Sequence, residues 1–406
     1  MDWRSVSIGL IILVVILAGA VGYLAIGGAR GGAQPQVVTS VVTSQVTVAQ
    51  TAYQTVTATV TSTVQGGQQL RSLKVFFFDP APANPWWDIV VEGVEKAVSD
   101  LKILGVNVEY TRFDATTLDK QISQLQQALV LKPDLAVIGT ISDAVQDLVK
   151  QLRQAGVIVV LVDRDLPDQT SRDLYLGTDN RVAAKVEAEA FLAWLSSKGV
   201  SKPWKIVIFK GLPGIPTSYL RYQGFIDALR PYISRGDVQI VEEVEVNPDL
   251  LNEVYQKASS IIPKYGKSVT AYMATNLLQA LGIVKALQDN NIQPGRDVYV
   301  LGFDAQLPDW VSMIAQGYVA ISIQQHPFTM GYWAVWTGYY IKTGLLRLPE
   351  KAVINTPTYK VFTCNATYSL YLDHFAINPT EIIFLASKLT PQQPQIQAPG
   401  YYSFPC

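Results

Sequence analysis

Cysteine and histidine are almost missing from this chain, with two of each in 406 residues. Cys364 and Cys406 stand far apart and form no pair spacing that would close a structural zinc site, so no metal set can be read. Charge is sparse as well: Asp, Glu, Lys and Arg make up 16% of the residues, the formal net charge is -1, and no Lys/Arg-rich run occurs. Nucleic acid is therefore not an expected partner, because tracking phosphates requires a basic patch or stripe. Catalytic motifs are also lacking. Gly211-Leu212-Pro213-Gly214 follows an apolar run, but no Lys-Ser/Thr pair comes after Gly214, which removes a P-loop, and no Gly-x-Gly-x-x-Gly opens the first helix. His326 has no acid nearby in sequence, His374 follows Asp373 in the tail, and neither has a Ser or Cys nucleophile motif to serve. The expectation is a protein that is not an enzyme and uses no cofactor.

What the chain does contain begins with an apolar run from Val6 to Ile26. A membrane-spanning helix needs roughly 20 apolar residues, and a signal-peptide core usually about 7 to 15. Residues 1–29 are thus predicted to be a transmembrane anchor or a signal, and a cysteine-borne lipid anchor is excluded because no Cys follows the run. Residues 30–70 are rich in Thr, Ser, Val and Gln, and Arg30 is the only charge from Gly27 to Gln69. This reads as a stalk whose Thr-Val alternation has β-propensity, with no turn signals to divide it into pairable strands and with hydroxyls available to carry sugars. Fully extended, about 40 residues reach at most ~140 Å. Anchor and stalk place the rest of the chain outside the cytoplasm, where two cysteines can form one structural bridge.

From Leu73 onward, apolar runs of four to eight residues alternate with longer amphipathic segments, the pattern of βαβ units and buried parallel sheets. Ten strand candidates, from Leu73–Phe78 to Ala320–Ile323, exceed one doubly wound sheet of five or six strands. The predicted fold class is α/β with two lobes, the first from Leu73 to Thr178 and the second from about Asp179, and with a cleft between them.

Polar or aromatic residues recur where the apolar runs stop. Asn84, Trp86 and Trp87 follow the first; Asp163 and Arg164 follow Val157–Val162; Asn276 follows Thr270–Met273; Asp304 follows Val298–Phe303; and Gln325 follows Ala320–Ile323. Ligands of open parallel sheets bind beyond the carboxyl ends of the strands, so these scattered residues can converge on one site. Successive residues at the start of a helix cannot both face the core, so at least one of Trp86 and Trp87 is expected to be exposed to the cleft, where an indole stacks on a sugar ring. The alternative is that one Trp plugs the helix against the sheet. Asp163 and Asp304 set against Arg164 and Arg221 sum to zero charge, which suits a neutral polyhydroxylated ligand better than an anion. Each Asp taken alone reads equally well as the cap of the segment that follows it.

Taken together, these motifs resemble the type I periplasmic substrate-binding proteins of ABC transporters, in their ribose-binding-protein-like sugar group. Asn84-Pro85-Trp86-Trp87 is similar to an Asn-Pro-aromatic-aromatic motif, Val162-Asp163-Arg164 to Leu-Asp-Arg, and Thr178-Asp179-Asn180 to Ser-Asp-Asn at a crossing between lobes. Arg221 with Gly224-Phe225 resembles Arg-x-x-Gly-Phe, Gly302-Phe303-Asp304 resembles Gly-Phe-Asp, and Asn276 and Gln325 also fall into pattern. Trp at both aromatic positions, where Phe is common, implies a cleft that is tighter or shaped for a ring other than a furanose.

The resemblance implies two Rossmann-like lobes joined by three crossings and closing by a hinge. Lobe one would hold residues 71–178 and 326–355, lobe two 179–325 and 356–365, leaving 366–406 as a tail. It also implies a monomeric receptor that captures a monosaccharide and passes it to ABC transporter permease subunits; the rival is a sugar or nucleoside-type sensor coupled to a membrane signalling receptor. Two further expectations concern the tail: a Cys364–Cys406 bridge pinning it to the second lobe, and glycosylation of Asn365 in the sequon Asn365-Ala366-Thr367.

Overall fold

The computed structural model describes residues 40–45, 55–60, 70–367 and 378–399. The predicted anchor lies outside them, as does Cys406, and among the described residues no helix is long and apolar enough to cross a membrane. Residues 1–69 form one unit and 70–406 another. Within the first, β1 (Ser40–Gln45) pairs antiparallel with β2 (Thr55–Val60), in register from Ser40 opposite Val60 to Gln45 opposite Thr55. The expectation of an unpaired stalk is corrected here. Dense β-branched Thr and Val favour the pleated conformation even where no turn signal announces a hairpin.

The second unit carries two sheets. The first runs in the order β15 (Gln395–Gln397), β13 (Ala352–Asn355), β7 (Leu174–Gly177), β6 (Ile158–Val162), β5 (Leu135–Ile138), β3 (Ser72–Asp79), β4 (Asn107–Asp114), with every pair parallel. The other runs β14 (Tyr359–Phe362), β12 (Ile321–Gln324), β11 (Tyr299–Phe303), β10 (Ala271–Ala274), β8 (Trp204–Lys210), β9 (Val238–Glu245), parallel except for β14. All ten strands expected from the sequence are present, shifted by at most two residues at their ends. Central strands such as β5, β10 and β12 are buried along their whole length, because helices cover both faces of each sheet and every side chain must be apolar or paired.

The chain passes from the first sheet to the second after Gly177, back after Gln324, and over again between Asn355 and Tyr359. The crossing segments brace one another: the backbone N–H and hydroxyl of Thr356 both donate to the carbonyl of Gly177, at 2.7 and 3.1 Å.

The described part of the tail does not sit on the second lobe as expected. Ala366 is still in the second lobe's core, but Ile382, Leu385 and Ala386 of the short helix Glu381–Ala386 are buried in the first lobe's core, and β15 extends the first sheet. Burying two such aliphatic side chains contributes about 1.5–3 kcal/mol each, enough to override a tether elsewhere. Gln397 then reaches the hinge, where its Nε2 donates to the carbonyl of Thr356 at 2.9 Å. Cys364, on the second lobe, is disulfide-bonded. Asn365 is only 7% exposed, with its Oδ1 accepting from Phe362 N–H at 2.7 Å and its Nδ2 donating to the carbonyl of Lys360 at 3.3 Å, so its side chain ties a turn.

Candidate functional site

Each side chain of the cleft sits where a strand ends. Asn84 follows β3 and caps the helix Pro85–Ile103, its Oδ1 accepting from Trp86 N–H at 3.1 Å, with Pro85 supplying the fixed φ of a first helical residue. Asn276 follows β10 and caps the helix Leu277–Asp289 through Gln279 N–H at 2.9 Å. Asp163 and Asp304 follow β6 and β11, and both adopt a left-handed backbone, with φ of 62° and 76°. A non-glycine residue there is strained, and such strain concentrates at ligand sites. The reading of these two aspartates as helix caps is thereby set aside. Their side chains instead turn into the cleft.

The nine residues singled out from the sequence, Asn84, Trp86, Trp87, Asp163, Arg164, Arg221, Asn276, Asp304 and Gln325, all line one space between the lobes, joined there by Thr217, Ser218, Pro248 and Asp249. With its open mouth included, that space is about 290 Å³. Among the described residues no acid, Cys and His group could hold a metal ion.

Trp86 is 3% exposed and Trp87 1%, both within the first lobe's core, so neither is open to solvent although both line the cleft. They meet edge to face at 5.2 Å. Trp87 is wedged against Gly139, where an added Cβ would stand 2.4 Å from the indole, and the Arg164 guanidinium lies 5.7 Å from its ring. One indole face is thus already covered by a cation.

Arg221 is held from three sides. Its Nε donates to Asn180 Oδ1 at 2.7 Å, its Nη1 donates to the carbonyl of Thr275 at 2.8 Å, and its guanidinium stacks 3.9 Å from the Phe303 ring. Gly224 makes this reach possible, because a Cβ there would stand 2.2 Å from the carbonyl of Arg181 on the neighbouring helix. Asp304 accepts from Gln325 Nε2 and, at 3.3 Å, from Leu277 N–H, with Arg221 Nη1 at 3.9 Å. Burial raises its carboxyl above the usual range, while Arg221, Gln325 and Leu277 oppose the rise. Asp163 has fewer supporters. Arg164 lies 3.6 Å away, and burial pushes its carboxyl up to about 6 against the pull of Arg164 and Arg221.

Sequence reasoning missed Thr217, Ser218, Pro248 and Asp249. The strand-end rule would have found Asp249, which follows β9, but that edge strand is half exposed and carries Glu242, Glu243 and Glu245, so it showed no clean apolar stop. Its omission matters for charge. Three carboxylates, Asp163, Asp249 and Asp304, face Arg164 and Arg221, so the balance is one negative charge rather than the expected zero.

Two α/β lobes, joined by the three crossings near the cleft and by the returning tail, with a polar cleft between them, define a bilobal binding protein. The sequence profile of the periplasmic binding protein domain matches residues 75–345, and the chain belongs to that family, in its type I sugar-binding group. It is 21% identical over 248 residues to the multiple sugar-binding periplasmic receptor of Rhizobium radiobacter, covering 58% of this chain and 69% of that protein. It is 26% identical over 251 residues to the ribose import binding protein of Salmonella typhimurium, covering 61% and 77%. Among solved structures, a galactofuranose-binding protein superposes with a TM-score of 0.65 at 19% identity, covering 74% of this chain and 98% of that one. A glucose-galactose binding protein from Geobacillus stearothermophilus gives 0.62 at 26% identity, covering 72% and 98%.

Proposed function

We propose that this protein captures one neutral monosaccharide between its lobes, outside the cytoplasm, and delivers it to the permease of an ABC transporter. One observation carries the reading. Four buried polar atoms of the cleft have no hydrogen-bond partner in the protein: Trp86 Nε1 and Arg164 Nε, which donate, and Asp163 Oδ1 and Gln325 Oε1, which accept. Buried polar groups are normally satisfied, so such a set is matched to something that enters. A sugar hydroxyl both donates and accepts, and two donors with two acceptors suit a ring of hydroxyls better than a purely accepting anion or a purely donating amine. The relatives named for ribose, galactofuranose and several sugars support the class without choosing a member. In this reading residues 1–29 tether the receptor to the outer face of the membrane or are removed on secretion.

Calorimetric titration of the Leu70–Cys406 unit with pentoses, hexoses and nucleosides tests the proposal. Saturable binding of a sugar is expected. A folded protein that binds a nucleoside, or nothing in the series, would refute it.

A further inference from the structure

Asp249 bonds to two residues that belong to the other lobe. It follows β9 of the second sheet, whereas Asn84 and Arg164 follow β3 and β6 of the first. Its Oδ2 accepts from Arg164 Nη2 at 2.7 Å and its Oδ1 from Asn84 Nδ2 at 3.0 Å. The segment that carries it is fixed within its own lobe: Asp249 N–H donates to Asn247 Oδ1 at 3.0 Å, and Asn276 Nδ2 donates to the carbonyl of Pro248 at 2.8 Å. The Arg164 side chain is 5% exposed and that of Asp249 15%. A charge-assisted pair so far removed from water is strong and weakly screened. Bonds of these lengths exist only when the lobes are together, so forming them is part of closing.

The same carboxylate changes what the cleft can accept. Of the guanidinium facing the first lobe's half of the site, Nη2 is taken by Asp249 and Nη1 lies 3.4 Å from the carbonyl of Thr140, which leaves Nε without a hydrogen-bond partner. An anionic sugar would have to displace Asp249 to reach the paired end of Arg164, against the surplus negative charge of three carboxylates facing two guanidiniums.

We propose that Asp249 is the closure and specificity residue of this cleft, latching lobe two onto Arg164 and Asn84 and turning away sugars that carry a carboxylate. The selectivity half rests on the monosaccharide reading; the latch does not.

Small-angle X-ray scattering of the Leu70–Cys406 unit in sugar-free buffer tests the latch. Wild type is expected to stay compact from low salt to about 1 M, because a pair this buried is weakly screened. Asp249→Ala and the isosteric Asp249→Asn should both be expanded at either salt. Scattering identical to wild type in a folded Asp249→Asn overturns the latch. For selectivity, the affinity for a uronic acid relative to its parent neutral sugar should rise at least tenfold in Asp249→Asn. An unchanged ratio overturns that half. A wild type that binds no sugar overturns it too, together with the proposed function, while the scattering result still decides the latch.

Discussion

The two lobes place an aspartate at matching points and then use it differently. Asp163 ends β6 and Asp304 ends β11; both are left-handed, and each donates its N–H to the adjacent strand, at 2.9 Å to the carbonyl of Leu176 and 2.7 Å to that of Ile323. In lobe two the carboxylate is wired in by Gln325, Leu277 N–H and Arg221. In lobe one, Asp163 Oδ1 has no hydrogen-bond partner, and neither do Arg164 Nε and Trp86 Nε1 beside it. Three of the four open atoms thus belong to lobe one and only Gln325 Oε1 to lobe two, so under the proposed function lobe one does most of the reading of the ligand. Organised groups cost little to keep in place, whereas open ones hold their interaction free energy for the bound state.

Exchanging each aspartate for asparagine, which tolerates the left-handed backbone, is the sharpest way to break this contrast. Asp163→Asn should weaken sugar binding by about 12- to 160-fold, since a hydrogen bond to a charged group is worth about 1.5–3 kcal/mol. Its folding stability at pH 7 should be unchanged or higher. The sign follows from the raised carboxyl: an acid whose folded pKa lies above its unfolded value adds stability that is complete below about 3.8 and lost as pH rises through about 6. At pH 7 the buried charge is therefore a cost, on the order of 2–3 kcal/mol, that asparagine removes. Asp304→Asn should gain less or lose stability, because its raised carboxyl is also a cost but one offset by Arg221, Gln325 and Leu277, whose support asparagine forfeits. One acceptor is replaced by a donor facing Leu277 N–H or the Gln325 amide, and an unmatched buried donor costs roughly 1–3 kcal/mol. Equal stability losses in chemical denaturation of the two variants would erase the distinction between the lobes.

A smaller effect follows from the same open carboxylate. A sugar hydroxyl that donates to Asp163 favours its ionised form, so binding lowers its pKa from about 6 and releases a proton. Affinity should be flat above about pH 7 and fall with acidification through pH 6, by no more than about tenfold per pH unit. Asp163→Asn should lose that slope. A wild-type profile that stays flat to pH 5 would mean that the ligand does not use this carboxylate.

Much of this arrangement was legible in the sequence, for a physical reason: strands buried on both faces must be apolar, so a polar residue at their carboxyl end is conspicuous. Asp163-Arg164 and Asp304 stand out after five or six apolar residues. Asp249 did not, because β9 is an edge strand with glutamates on its open face and shows no such contrast. β13 and β15 stayed hidden because each is only a few residues long, and β15 pairs with a strand more than 40 positions away, a contact that no local pattern encodes. Facing reasoned from one helix alone pointed to the cleft side of the tryptophans but not to their burial in the first lobe's core, where Gly139 supplies part of the surface against Trp87.

Those tryptophans give the finest test of the contrast between reading and packing. Trp86 keeps an unpartnered Nε1 in the cleft, whereas Trp87 is wedged against Gly139 and lies beneath Arg164. Trp86→Phe retains an aromatic face and removes the donor. Loss of one neutral hydrogen bond, about 0.5–1.5 kcal/mol, should weaken binding roughly 2- to 12-fold and lower the melting temperature less than the change at Trp87. Trp87→Phe should lower the melting temperature first, because shrinking a fully buried ring opens a cavity that its neighbours only partly fill. If calorimetry and thermal melts reverse that order, Trp87 contacts the sugar and Trp86 is the packing residue, and the polar edge of the cleft lies on the other side of the helix N-terminus.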